Sequence, residues 1–110
     1  MMMAYIPDRG HIIWIDFDPQ AGREQSRHRP ALVLSPKAYN RKTSLCLLCP
    51  MTIQVKGYPF EVSIPGKVPS VVLADQVKSL DWRVRGAKKK GHVDQDVLDE
   101  VVGKIRALLE

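Results

Sequence analysis

Between Pro19 and Phe60 the chain holds seven Lys or Arg residues and one acid, Glu24. Glu24, Gln25, Arg27, His28 and Arg29 crowd into one short loop that ends at Arg29-Pro30. Apolar runs flank it on both sides, Ile12–Phe17 before and Ala31–Leu34 after. A polar cluster set between two core strands is where a small β protein places a working site. A second basic run holds Arg83, Arg85, Lys88, Lys89 and Lys90 with no acid among them. Acids gather instead from Asp94 to Glu110, a net of −3, so the chain's total of +5 leaves +8 on the remainder. Basic patches of this kind favour a polyanion, either nucleic acid or an acidic protein. Charge alone also allows a merely solvated basic surface.

Other chemistries have weaker support. Cys46 and Cys49 are the two cysteines, and both fall in the apolar run Leu45–Cys49. Residues three apart in a strand point to opposite faces, so this pair can neither bridge nor share a metal easily. No second Cys or His pair stands at zinc-finger spacing, which predicts no metal and no cofactor. The N-terminal MMMAYIPDRG lacks the apolar core of a signal peptide. No apolar stretch approaches the roughly 20 residues of a membrane span. The expectation is a cytoplasmic protein with no membrane association.

The elements that must position the polar loop follow from periodicity. One domain over 1–110 suits the length. His11–Asp18 alternates, with Ile13, Ile15 and Phe17 on one face and Ile12, Trp14 and Asp16 on the other. The second face is also partly apolar, which points to burial against a second chain. Ala31–Ser35 reads as a short strand and Lys37–Thr43 as a loop or a single helical turn. Leu45–Ile53 reads as a strand broken at Pro50, and Gln54–Pro59 as a loop. Phe60–Ile64, Val71–Ala74 and Gln76–Leu80 give further short strands. Asp94 is a suitable N-cap for a helix over Asp94–Leu109, with Val97, Leu98, Val101, Val102, Ile105, Leu108 and Leu109 as its stripe. At 1.5 Å per residue that helix is about 24 Å long. Short strands closed by one terminal helix predict a small, strongly bent barrel.

Several strings together resemble the MazF/PemK family of bacterial toxin ribonucleases. They are Gly10-x-Ile12-x-Trp14-x-Asp16-Phe17-Asp18-Pro19, Gly22-x-Glu24-Gln25 and His28-Arg29-Pro30. Ser35-Pro36, Tyr39-Asn40, Pro50-x-Thr52, the run Lys56 to Val62, the run Ala74 to Ser79, and Arg85-Gly86-Ala87 follow in the family's order. The resemblance spans nearly the whole chain and is nearest to the chromosomal MazF proteins. It implies a mainly β fold with short helices, an SH3-like barrel of the plasmid-maintenance toxin type with a C-terminal α-helix. It also implies a homodimer and metal-independent, sequence-specific cutting of single-stranded RNA, often mRNA, to 2′,3′-cyclic phosphate and 5′-hydroxyl ends. The implied partner is an acidic, MazE-like antitoxin that neutralises the toxin within a larger hetero-oligomer. The implied outcome is inhibition of translation and growth.

Such cleavage needs a base for the 2′ proton, a stabiliser for the phosphorane charge and an acid for the leaving 5′ oxygen. Arg29 suits the second role, because its fork binds two phosphate oxygens. Thr52 matches the family threonine thought to hold the scissile phosphate. Glu24 is placed either to act as base or to orient Arg29. Asp75 is a rival base, but relatives that use the matching Asp pair it with an Arg two residues earlier, and Leu73 stands there. Arg27, His28, Lys56, Tyr58, Gln76 and Lys78 are the candidate RNA contacts, with Tyr58 stacking on a base. Phe60 reads as barrel core. A non-cleaving basic nucleic-acid-binding module fits the charge equally well. Similar folds raise a gyrase-directed toxin, for which no residue argues over RNA.

Overall fold

The computed structural model describes residues 4–17 and 28–110. Its elements in chain order are β1 (His11–Asp16), β2 (His28–Val33), α1 (Lys37–Thr43), β3 (Leu45–Thr52), β4 (Glu61–Ile64), β5 (Ser70–Leu73), β6 (Lys78–Asp81), β7 (Lys88–His92) and α2 (Gln95–Leu109). All strand pairings are antiparallel, along the path β4-β5-β3-β2-β1-β7. β6 pairs with β3 off that path.

Leu48 pairs with Val33 of β2 and also with Lys78 of β6, so β2 and β6 occupy opposite edges of β3. β6 therefore continues β5 along one edge. Leu48 and Met51 are three residues apart on β3, yet their partners Lys78 and Val72 are six apart. The surplus leaves the ladder as a bulge over Ala74–Val77, turned by the Gln76 N–H donating to Leu73 O at 3.1 Å. The bulge stands opposite Pro50. Proline has no N–H for a ladder and sits in strands at edges or bulges. The expected break at Pro50 is thus absent: β3 runs through it, and the partner gives way instead.

Alternation gives the bent sheet an apolar cluster on each face. Ile13, Ile15, Ala31, Val33, Cys46, Leu48 and Trp82 form one. Ile12, Leu32, Cys49, Met51, Val62 and Val72 form the other, with Leu98 and Val101 of α2 laid against them. Burying Leu98 and Val101 is worth about 1.5–3 kcal/mol each. Cys46 and Cys49 fall in opposite clusters and are free thiols, as their spacing predicts. The partly apolar second face of β1 is covered at Ile12 by this chain's own helix, while Trp14 is 38% exposed.

Local differences from sequence patterning have physical causes. β2 starts at His28 rather than Ala31, because pairing with β1 extends through Trp14↔Pro30 and Ile15↔Arg29. Lys37–Thr43 is a helix of seven residues, ended by Ser44 in the left-handed region at φ 65°. The lysine run Lys88–Lys90 is an edge strand that no apolar alternation signals. Lysines on an edge discourage pairing with other chains. Asp94 occupies the N-cap of α2 without a capping side-chain hydrogen bond.

Candidate active site at the open end of β2 and β3

The β2–β3 ladder pairs Val33↔Leu48, Leu32↔Cys49 and Ala31↔Pro50. Carried two residues further, the same register sets Arg29 level with Thr52. Both positions share the parity of Ala31, Val33, Cys46 and Leu48, so they lie on the face that is core further along. At this end the face opens into a pocket of about 240 Å³. Arg29, Pro50, Met51 and Thr52 form its floor from two strands. Asp75 and Gln76 reach it from the bulge, which is one way a sheet re-aims side chains beside a site. Lys56, Tyr58 and Glu61 close the third side.

Thr52 Oγ1 accepts a hydrogen bond from the Gln54 N–H at 3.1 Å. A hydroxyl has one proton to give as well as lone pairs to fill. Its acceptor side is thus engaged by the loop, and among the described residues no acceptor takes its proton. Lys56 Nζ lies 5.9 Å from the centre of the Tyr58 ring, a cation–π spacing. Beneath the bulge, Cys49 Sγ lies 3.9 Å from Ala74 O. Burial, and secondarily the Asp75 charge, push its thiol up to about 12, so it stays protonated and is not a nucleophile here.

A second hollow of about 470 Å³ shares Arg29, Met51 and Thr52. It is mainly apolar, lined also by Trp14, Pro30, Ile53 and Val68. Lys90 Nζ lies 5.3 Å from the Trp14 ring centre at its edge. Arg29 and Thr52 therefore stand on a ridge between a polar pocket and an apolar one.

Of the residues singled out in the sequence, Arg29, Thr52, Asp75, Lys56, Tyr58 and Gln76 meet in one pocket. Lys78 does not: it begins β6, beyond the bulge. His28 is exposed at the start of β2, paired with Asp16 of β1, and lines neither hollow. Glu24 and Arg27 lie outside the described residues. Phe60, expected as core, is half-buried and lines the pocket. Gln54 and Glu61 were not signalled by composition. The signal for Glu61 was its place, an acid just past a Gly-Tyr-Pro loop with N–H groups to bind. His11 and His92 pair across β1 and β7 and line neither hollow. Among the described residues no three His, Cys, Asp or Glu side chains gather as a metal site, and no helix is long and apolar enough to cross a membrane.

Comparison with known proteins gives the family and the fold. The chain is 54% identical over 110 residues to the endoribonuclease toxin MazF of Escherichia coli K12, with 99% of each covered. It is 34% identical to the endoribonuclease PemK of Escherichia coli, over 93% of this chain and 81% of that one. Among solved structures, MazF of Deinococcus radiodurans superposes with a TM-score of 0.86 at 55% identity, covering 96% of this chain and 98% of that one. A MazE–MazF complex from the same organism matches with a TM-score of 0.86 at 49% identity, covering 96% and 97%. The bent β sheet with its C-terminal helix is the fold of these MazF structures. Residues 8–109 match the PemK-like, MazF-like toxin of type II toxin–antitoxin systems, and the chain belongs to that family.

Proposed function

We propose that this chain is the endoribonuclease toxin of a type II toxin–antitoxin pair, cutting single-stranded RNA at the ridge between the two hollows. The observation that carries the reading is the meeting of Arg29 and Thr52, level across β2 and β3, with Asp75 delivered by the bulge. The reaction is attack of the RNA 2′-oxygen on the adjacent phosphorus, with loss of the 5′-oxygen. It leaves a 2′,3′-cyclic phosphate and a 5′-hydroxyl, and it needs no metal. Arg29 grips the non-bridging oxygens with its fork and offsets the charge that grows on them in the phosphorane. Thr52 donates a hydrogen bond from its hydroxyl to the same phosphate. Asp75 and Glu24 are the two carboxylates offered for the 2′ proton, which is then returned to the departing 5′-oxygen to make the hydroxyl, and Leu73 in place of an Arg leaves Asp75 without the partner its plasmid-borne counterparts use.

Tyr58 and Lys56 take the neighbouring nucleotide, the ring stacking on a base and the ammonium meeting a phosphate. Gln76 offers an amide to a base edge. His28 and Lys78 extend the basic track outside the pocket, and Arg27 is a further candidate contact. The working form is a homodimer in the cytoplasm. An acidic, MazE-like antitoxin neutralises it by competing for the same basic surface, and unopposed activity halts translation and growth.

Incubation of the purified protein with defined RNAs in EDTA, followed by mapping of both new ends, tests the reading. Cyclic phosphate and 5′-hydroxyl ends at a short recurring sequence are expected, and Arg29→Ala should slow their formation by about 10²- to 10³-fold. Salt-sensitive binding that leaves every RNA intact would make the protein a binding module and sink the proposal.

A further inference from the structure

Glu61 presents a puzzle: it is an acid in the wall of a pocket argued to hold a polyanion. Like charge there weakens phosphate binding unless the carboxylate is engaged elsewhere. It is engaged. Its oxygens accept the Lys56 N–H at 3.0 and 3.3 Å and the Gly57 N–H at 2.8 Å. The Glu61 N–H in turn donates to Tyr58 O at 3.1 Å. One residue thereby closes the loop through both its side chain and its backbone. The turn so made needs Gly57, which sits at φ +81° in the left-handed region.

Two further bonds fasten the same loop. Thr52 Oγ1 holds its entry at the Gln54 N–H. Lys104 of α2 reaches under it and donates from Nζ to Pro59 O at 2.6 Å. A loop of this length without such ties would have to be ordered when a ligand arrives, at a cost for every side chain immobilised. Bonds from amide N–H groups to a carboxylate are charge-assisted, about twice as strong as neutral ones.

From this geometry we infer that Glu61 is a positioning residue, which with Lys104 pre-sets the Gln54–Phe60 loop so that Lys56 and Tyr58 meet RNA already in place. The inference rests on the endoribonuclease reading for its substrate, but the tie itself belongs to the free protein. Glu61 acts through Lys56 and Tyr58 and takes no proton from RNA.

The test uses the full-length chain as wild type and as Glu61→Ala, Glu61→Gln and Lys104→Met. Each is measured for amide hydrogen exchange, for affinity to an oligonucleotide with a 2′-deoxy residue at the mapped cleavage site, and for steady-state cleavage. Glu61→Ala should remove exchange protection at Lys56 and Gly57. It should weaken the uncleavable oligonucleotide and raise KM by about tenfold, with kcat changed less than about threefold. Glu61→Gln keeps one acceptor oxygen and should recover part of both. Lys104→Met leaves the pocket wall untouched and should weaken binding by about threefold. Unchanged protection in Glu61→Ala overturns the inference without RNA entering the question. Tighter RNA binding overturns it too, since the acid would then act only by repulsion. A fall in kcat at constant KM would make Glu61 part of the chemistry and likewise overturn it. Failure of the wild type to cut RNA is a separate result: it removes the endoribonuclease reading, while exchange still decides the tie.

Discussion

β2 and β3 run side by side between two unlike ends. At the α1 end the polar groups are buried and bonded inward. Asn40 Nδ2 donates to Pro7 O at 2.9 Å and Ser35 O at 3.0 Å, and its Oδ1 accepts from Ser35 Oγ at 2.6 Å. Ser35 Oγ also accepts the Leu47 N–H, and Trp82 Nε1 donates to Asn40 O. At the other end Arg29 is exposed, and Arg29, Thr52 and Asp75 face a pocket. The same sheet face thus carries a sealed polar network at one end and an open polar cluster at the other. The difference lies in where the hydrogen bonds go: inward groups hold the fold, and outward ones await a ligand.

If that division is right, substitutions at the two ends should separate activity from stability. The largest effect belongs to Arg29→Ala. It should cut RNA cleavage by about 10²- to 10³-fold, the loss usual for one charge-stabilising donor. Its melting temperature should stay within about 2 °C, as for an exposed residue outside the core. Arg29→Lys should recover little, because a lysine cannot present two parallel donors. Equal losses of activity and stability in Arg29→Ala would break the comparison.

Asn40→Ala is the reverse experiment. It strands the Pro7 and Ser35 carbonyls and takes away the acceptor of the Ser35 hydroxyl, all in a buried place. Unsatisfied buried groups cost about 1–3 kcal/mol each, so the three together cost about 3 kcal/mol at the low end, where local relaxation rescues part of the loss. For a chain of this size that lowers the melting temperature by about 10–20 °C. Cleavage per folded molecule, measured well below the transition, should stay within about twofold. A smaller effect is expected from Thr52→Val, which keeps the shape and removes the hydroxyl. Cleavage should fall about ten- to a hundredfold with stability changed by under about 1 kcal/mol, and Thr52→Ser should restore most of it.

How far these ends can be read from residues alone differs between them. Arg29 and Thr52 were legible because a polar residue at the mouth of an apolar strand stands out and the family strings mark both. What brings them together is the β2–β3 register, fixed by α1, and Lys37–Thr43 shows no strong helical stripe that sequence could use. Asp75 was legible as a residue but not as part of a bulge. Pro50 signalled an interruption, and the side that yields is the partner strand, which depends on a pairing some 25 residues away in sequence. β7 was invisible because an edge strand made of lysines has no apolar alternation. The sealed end was least legible of all: nothing local in Tyr39-Asn40 shows that Asn40 will reach back to Pro7.

The smallest effect sharpens the comparison through pH. At the sealed end His11 Nδ1 accepts from Tyr5 Oη at 2.8 Å and from the Asp8 N–H at 3.2 Å. A backbone N–H can only donate, so Nδ1 must carry no proton, and the neutral ring with its proton on Nε2 is the form that fits. Burial lowers the His11 pKa from its ordinary value; Lys89 and His92 push the same way, and Asp8 pulls against them. A histidine that is harder to protonate folded than unfolded gives up stability on acidification. Its contribution is complete above the unfolded value of about 6.5 and is lost as pH falls from there toward the lower folded value, with no further loss below it. Between pH 7.5 and 5 the wild type should therefore lose about 1–2 °C more in melting temperature than His11→Gln, a small gap because the ring is only partly buried. Cleavage per folded molecule should not follow that gap, since His11 lies at the end that holds the fold. A cleavage profile that shifted with His11→Gln would join the two ends and undo the division between them.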